Sequence, residues 1–482
     1  MRLVALLVPI ASASLALHCG GHHDAPAPPT PVGPAITDLA GFVEVPARNV
    51  TVKGQSVRID ATARLFYNLR RADDHAEDKP IFVLFNGFAA EIVRAYGTGP
   101  TTVVEGGAVE PNAASWTKMA NLLYIEPRQA GYSYDVVAAR APSSSLDCGP
   151  GIFNEYVDAA DVLLGVFAFL EAHPELRGPV YWVAESYAGV RVTWILAYLR
   201  GRFDLASYAD ATLAQRVATS RRTASMRAGQ ILLEPWLAGG AQSTAIDAVC
   251  ADAGELAAVS ASIGVACAGT DACACARAND RSLYNFTYTV ERETLREDEA
   301  SAAHVIPDRA AALLGVPLTS VALLAASERA RGFKCSTRDD TVPNDDALVA
   351  TLGALPMGQS YWLPYSPLLP GKEIAPTTLD WRTRDSQAVA FVDNLHDVPA
   401  FITNGALDLV VPTRSLAPAL RAVIGSARVD ATSSTRLTVS YADGRRTATI
   451  ASYANAGHMV SMAAPSDLAA DVTSWLTMTM RR

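Results

Sequence analysis

Three residues far apart in the chain have the side-chain types and settings for acyl-transfer chemistry. Ser186 stands in Ala184-Glu185-Ser186-Tyr187-Ala188-Gly189, directly after an apolar run. A serine hydroxyl attacks a carbonyl at useful rates only when an adjacent base takes its proton. A sharp strand-to-helix turn would hold that hydroxyl above a sheet, and it requires small neighbours. Here the positions two before and two after are both alanine. Asp408 follows a late apolar strand in Asn404-Gly405-Ala406-Leu407-Asp408, and His458 lies in Ala456-Gly457-His458-Met459-Val460. Of eight histidines, His458 alone combines a place after the last strand, a preceding glycine and an apolar residue behind it. In a triad the histidine is general base and the acid fixes its tautomer. Each residue also has a structural reading: a serine closing a buried strand, an aspartate capping a helix, a buried polar histidine. Their joint occurrence in the order Ser, Asp, His is what points to chemistry.

Such residues need a scaffold whose strand ends converge. Ile81-Phe82-Val83-Leu84-Phe85, Asn121-Leu122-Leu123-Tyr124-Ile125 and Val180-Tyr181-Trp182-Val183-Ala184 are continuous apolar runs, the pattern of strands covered on both faces of a parallel sheet. Between the second and third, Asn154 to His173 has apolar residues at helical spacing and stops before Pro174. Strand, helix, strand predicts a doubly wound α/β domain. Ahead of it, Phe42 to Val45 and Val50 to Leu69 alternate as a strand pair. From 237 to 359 the chain turns Ala-rich and helical and holds most of the cysteines, which predicts an inserted cap. The strand pattern resumes at Val398 to Thr403. Strands over Arg436 to Tyr441 and Ala448 to Tyr453 flank the hairpin turn Ala442-Asp443-Gly444-Arg445, and a helix from Pro465 to Thr477 closes the domain.

Composition excludes some function classes. The 482 residues include 32 Gly and 28 Pro and are half apolar, which describes a globular chain. The net charge of -9 comes with no basic run longer than paired arginines, so nucleic acid is not an expected partner. Arg2 followed by apolar Leu3 to Leu17 describes a secretion signal over 1–19, and a Pro/Ala-rich linker covers 20–36. Cys19, directly after the apolar run, resembles the lipid-bearing cysteine of a bacterial lipoprotein and would tether the protein to a membrane. His18 stands where such sites carry a small residue. The other reading is an ordinary signal peptide and a soluble secreted product. Cys148, Cys250, Cys267, Cys273, Cys275 and Cys335 then make an even number, suited to disulfides in an oxidising compartment. The C-x-C at 273–275, with no second pair or histidine nearby, fits tetrahedral zinc poorly. No metal or organic cofactor is expected. The predicted organisation is a hydrolase core over 37–236 and 360–482, interrupted by the cap.

Five motifs in order give the chain a family resemblance. Residues Ser115 to Pro127, Gly131-Tyr132-Ser133-Tyr134, Glu185-Ser186-Tyr187-Ala188-Gly189, Asp408-Leu409-Val410-Val411-Pro412 and Ala456 to Val460 resemble those of the serine carboxypeptidases. The resemblance implies an α/β-hydrolase fold, mostly parallel with an inserted helical cap, and an exopeptidase that releases C-terminal residues from peptides through an acyl-enzyme. It also implies Ser186, Asp408 and His458 as the triad, and Phe88 and Tyr187 as backbone donors to the oxyanion. Asn86, Gly87 and Glu185 would bind the substrate's carboxylate. Departures fall in recognition rather than in the triad. Ala89-Ala90-Glu91-Ile92-Val93 replaces P-G-C-S-S, Gly97 stands where the family has a glutamate, and Leu232-Leu233-Glu234-Pro235 replaces I-G-N-G. An esterase or acyltransferase acting on a small acyl substrate is therefore a second expectation. A tethered surface protein with a decayed site is a third, against which the intact triad positions argue.

Overall fold

The computed structural model describes residues 39–257 and 386–480, except 53, 60–61, 88–89, 94–96, 104–108, 129–132, 137–154, 238–241, 243–247, 249, 255, 407, 409–410, 412–427, 434–435 and 441–446. The expected signal, linker and hairpin turn, and nearly all of the expected cap, lie outside the described residues. Among the described residues one large sheet carries the order Leu39–Val45, Thr62–Arg70, Asn121–Ile125, Ile81–Asn86, Val180–Glu185, Gly229–Leu233, Ala400–Gly405, Thr447–Tyr453, Arg436–Ser440, Arg428–Ser433. The strands from Asn121–Ile125 to Thr447–Tyr453 run parallel to one another, and the outer ones are antiparallel. Ile81–Asn86, Asn121–Ile125, Val180–Glu185 and Gly229–Leu233 are buried at every position, as strands covered on both faces must be.

The chain enters the parallel centre at Ile81–Asn86, takes Asn121–Ile125 on one side, then crosses to Val180–Glu185 on the other. That reversal puts the topological switch point at the carboxyl ends of Ile81–Asn86 and Val180–Glu185, the usual ligand position in open α/β sheets. Helix Glu155–Ala172 matches the expected 154–173 closely, and helix Ala188–Leu199 begins directly behind the Val180–Glu185 strand. The closing helix runs Pro465–Met480, three residues longer than the spacing predicted.

The leading strands differ from expectation. Leu39–Val45 pairs with Thr62–Arg70, whereas Arg48–Val52 and Gln55–Ile59 form a hairpin in a separate small sheet with Tyr208–Ala209. Alternating residues specify a strand but not its partner, and here buried charge fixes the hairpin. Arg48 meets Asp161 of helix Glu155–Ala172 and Asp210, each at 2.6 Å, and Arg128 reaches Asp161 at 2.5 Å. Burial alone would push the Asp161 carboxyl up, but Arg128 and Arg48 outweigh it and hold it below the usual carboxylate range. Asp161→Ala leaves two buried guanidinium groups without their shared anion. It is expected to cost about 3–5 kcal/mol in chemical denaturation, and a loss below about 1 kcal/mol would show that the network is not what anchors the hairpin.

Candidate active site

Adjacent parallel strands end in register, and each delivers one functional residue to the same edge. Glu185 lies opposite Asn86 on one side and Leu233 on the other. Leu232 lies opposite Ile402, and Ile402 opposite Ile450. The residues that follow these ends are Ser186, Glu234, Asp408 and His458. Ser186 adopts φ +62°, a left-handed conformation costly for a serine, as expected of a sharp elbow. Its N–H donates to the Leu233 carbonyl at 2.9 Å and its carbonyl accepts from Trp236 N–H at 3.1 Å, so backbone bonds from the neighbouring strand end hold the turn. Tyr187 is buried and caps helix Ala188–Leu199.

His458 Nδ1 and Asp408 Oδ2 are 2.9 Å apart, both side chains sealed from solvent. Asp408 also caps locally, its Oδ1 accepting from Val411 N–H at 2.9 Å. Each carboxylate oxygen thus has its own partner, one a ring nitrogen and one a backbone N–H. Gly405 lets the two loops meet: a Cβ there would lie 2.2 Å from the Gly457 carbonyl oxygen. The other ring nitrogen, His458 Nε2, is buried and has no hydrogen-bond partner among the described residues. Burial opposes protonation of this imidazole, but Asp408, with Glu185 and Glu234, outweighs it and pushes the pKa up to about 9.

On the other side of Ser186, Asn86 Nδ2 donates to Glu185 Oε1, and Gly87 N–H donates to the Glu185 carbonyl at 3.1 Å. The structure thus brings Asn86, Gly87 and Glu185 together. Phe88 lies outside the described residues. Burial pushes the Glu185 carboxyl up to about 7, with Asp408 adding to the rise, while His458, Asn86 and Ser461 favour the ionised form. Where the resemblance led to a glutamate, Gly97 lies against Ser461, whose carbonyl oxygen would be 2.3 Å from an added Cβ.

Sequence reasoning missed three contributors. Glu234 adopts φ +44° and is fully buried, and Thr403 Oγ1 donates to its Oε1 at 2.6 Å. Burial raises its pKa well above the ordinary value. Arg191 and Asp158 form a buried ion pair beneath the Asn86 loop. A lone arginine inside the apolar run of 188–199, and an aspartate inside that of 155–172, were the available signals.

This sheet, its elbow and its Asp–His pair define an α/β-hydrolase. A family model described as serine carboxypeptidase matches residues 41–202, which include Asn86, Glu185 and Ser186 but end before Asp408 and His458. The chain is 29% identical over 191 residues to serine carboxypeptidase-like 26 of Oryza sativa subsp. japonica, covering 37% of this chain and 35% of that one. It is 31% identical over 132 residues to serine carboxypeptidase-like 35 of Arabidopsis thaliana, covering 26% of each. It therefore spans about a third or less of the length of these curated relatives. Among solved structures, Kex1Δp, a prohormone-processing carboxypeptidase from Saccharomyces cerevisiae, aligns over 91% of this chain and 90% of its own, at 13% identity and a TM-score of 0.48. The chain is thus similar to serine carboxypeptidases over part of its length.

Because the folded Glu185 holds a proton that the unfolded chain releases near 4.5, the folded state binds more protons between about 4.5 and 7. Its contribution to stability is complete below that window and is lost as pH rises through it. Glu185→Gln should remove this loss, on the order of 3 kcal/mol. Denaturation midpoints of both proteins at several pH values measure it, and parallel curves would contradict the assignment.

Proposed function

We propose that the protein is a serine hydrolase that releases C-terminal residues from peptides through an acyl-enzyme. The observation that carries this reading is the buried Asp408–His458 pair at the sheet edge that also presents the strained Ser186 elbow. Ser186 Oγ attacks the scissile carbonyl, forming the C–O bond, while His458 Nε2, in the enzyme fraction whose imidazole is neutral, takes the hydroxyl proton. Collapse of the tetrahedral intermediate breaks the C–N bond, and the imidazolium returns the proton to the departing amine. Water then attacks the acyl-enzyme, again losing its proton to His458, and collapse breaks the C–Oγ bond as the imidazolium returns the proton to Ser186 Oγ. Asp408, through Nδ1, fixes the tautomer and stabilises the imidazolium. Backbone N–H groups of Tyr187 and Phe88 serve the oxyanion, where a single donor is typically worth about 3–4 kcal/mol.

Recognition of a peptide's carboxylate falls to Asn86, Gly87 and Glu185. A carboxylate next to Glu185 is tolerated only while Glu185 is protonated and can donate. With its pKa raised to about 7, the affinity for free C-termini should hold at acidic pH and weaken above neutrality. Substrates without a free carboxylate should lack that dependence. The helix Ala90–Val93 occupies a segment where this chain departs from the family pattern, which favours esters or acyl transfer as a second reading. An exported location, with a membrane tether through Cys19 when that residue is lipidated, is part of the proposal. It is supported by the disulfide-bonded state of Cys250.

The test compares blocked dipeptides, their C-terminal amides and simple esters. Selective release from the free-carboxylate dipeptides, with KM rising above about pH 7, is the expected outcome, whereas ester cleavage alone supports the second reading. Ser186→Ala should abolish turnover, and Asp408→Asn should lower kcat about ten-thousand-fold. Equal turnover by wild type and Ser186→Ala would remove Ser186 from the reaction.

A further inference from the structure

The peptide unit joining Asn86 to Gly87 is held at both polar ends. Its N–H donates to the Glu185 carbonyl at 3.1 Å, and its carbonyl accepts from Arg191 Nη1 at 3.0 Å. Arg191 lies in the first turn of helix Ala188–Leu199, five residues past Ser186. Its Nε donates to Asp158 Oδ2 at 2.9 Å, its Nη2 lies 2.8 Å from the same oxygen, and both side chains are fully buried. The guanidinium carbon is 5.4 Å from the ring centroids of Phe85 and of Tyr187. One side chain thus touches the carbonyl of Asn86, the ring of Tyr187 and the strand residue ahead of the Asn86 loop.

Burying this ion pair is costly, and apolar side chains of similar volume commonly fill such space with no loss of stability. Stability is therefore a poor account of why the position holds an arginine. Geometry is a better one, because the planar fork can grip a carboxylate and a carbonyl at once in fixed directions. A lysine, being a point charge on a flexible stem, cannot.

We propose that Arg191, fixed by Asp158, is the positioning residue of the acylation site. It sets the plane of the Asn86–Gly87 peptide, and through it the aim of the Asn86 carboxamide, and by its contact with the Tyr187 ring it braces the residue whose backbone N–H follows Ser186. It touches no reacting atom. The inference rests on Ser186 being the nucleophile.

Two variants test it, Arg191→Met/Asp158→Leu, which removes both charges together, and Arg191→Lys, which keeps a cation beside Asp158. For each, the thermal midpoint is measured with the rate of Ser186 labelling by a fluorophosphonate and with kcat and KM on an ester lacking a free carboxylate. Misaimed donors act on the transition state, so labelling and kcat should fall together by about ten- to a hundredfold. The ester's KM should stay within about twofold. Wild-type labelling and kcat in the folded double variant would reduce Arg191 to a core ion pair and overturn the inference. Should the double variant not fold, wild-type rates in Arg191→Lys would do the same. If wild type is not labelled, or Ser186→Ala is labelled equally, the hydrolase reading falls first and takes this inference with it.

Discussion

Charge buried at the carboxyl edge of a parallel sheet is the constraint on which the site depends. Four neighbouring strand ends carry Glu185, Glu234, Asp408 and His458 within a nearly water-free space. An isolated ion there is prohibitively costly, so each group must be paired, neutralised or both. Asp408 is paired with His458, and Glu234 and Glu185 are driven towards their protonated forms by burial. The same low polarity strengthens every remaining electrostatic contact, including that between Asp408 and the imidazolium it would stabilise.

Around this cluster the backbone supplies the order. Ser186 is bonded through both its N–H and its carbonyl to the turn that follows the Gly229–Leu233 strand, and Glu234 sits in that turn in a left-handed conformation of its own. Two strained residues at adjacent strand ends are thus linked by the bonds that Ser186 makes to Leu233 and Trp236, on either side of Glu234. Thr403 ties the arrangement to the next strand, since its hydroxyl accepts from Glu234 N–H and donates to the Glu234 carboxyl. Local strain of this kind persists only where surrounding contacts over-determine it.

Much of this was legible in the residues themselves. Continuous apolar runs located the central strands because both faces of a parallel sheet are covered, and their order located Ser186, Asp408 and His458 at strand ends. Pairing of Leu39–Val45 with Thr62–Arg70, and the separate hairpin beside it, was not legible, because alternation carries no information about partners. Arg191 and Asp158 escaped for a related reason. A charge on a helix ordinarily faces water, and only packing of helix Ala188–Leu199 on helix Glu155–Ala172 turns these two inward to meet. Glu234 looked like a departure from a motif, and its burial beside His458 depends on four strands meeting in register.

That register has a further bearing on how such a site could diversify. Asn86 and Glu185 face one another because they are opposite members of a strand pair, so the carboxylate grip proposed for them would be inherited from the scaffold. New substrate preferences would have to be acquired from residues outside the sheet, while the clasp itself would change only through point replacement of one of those two side chains.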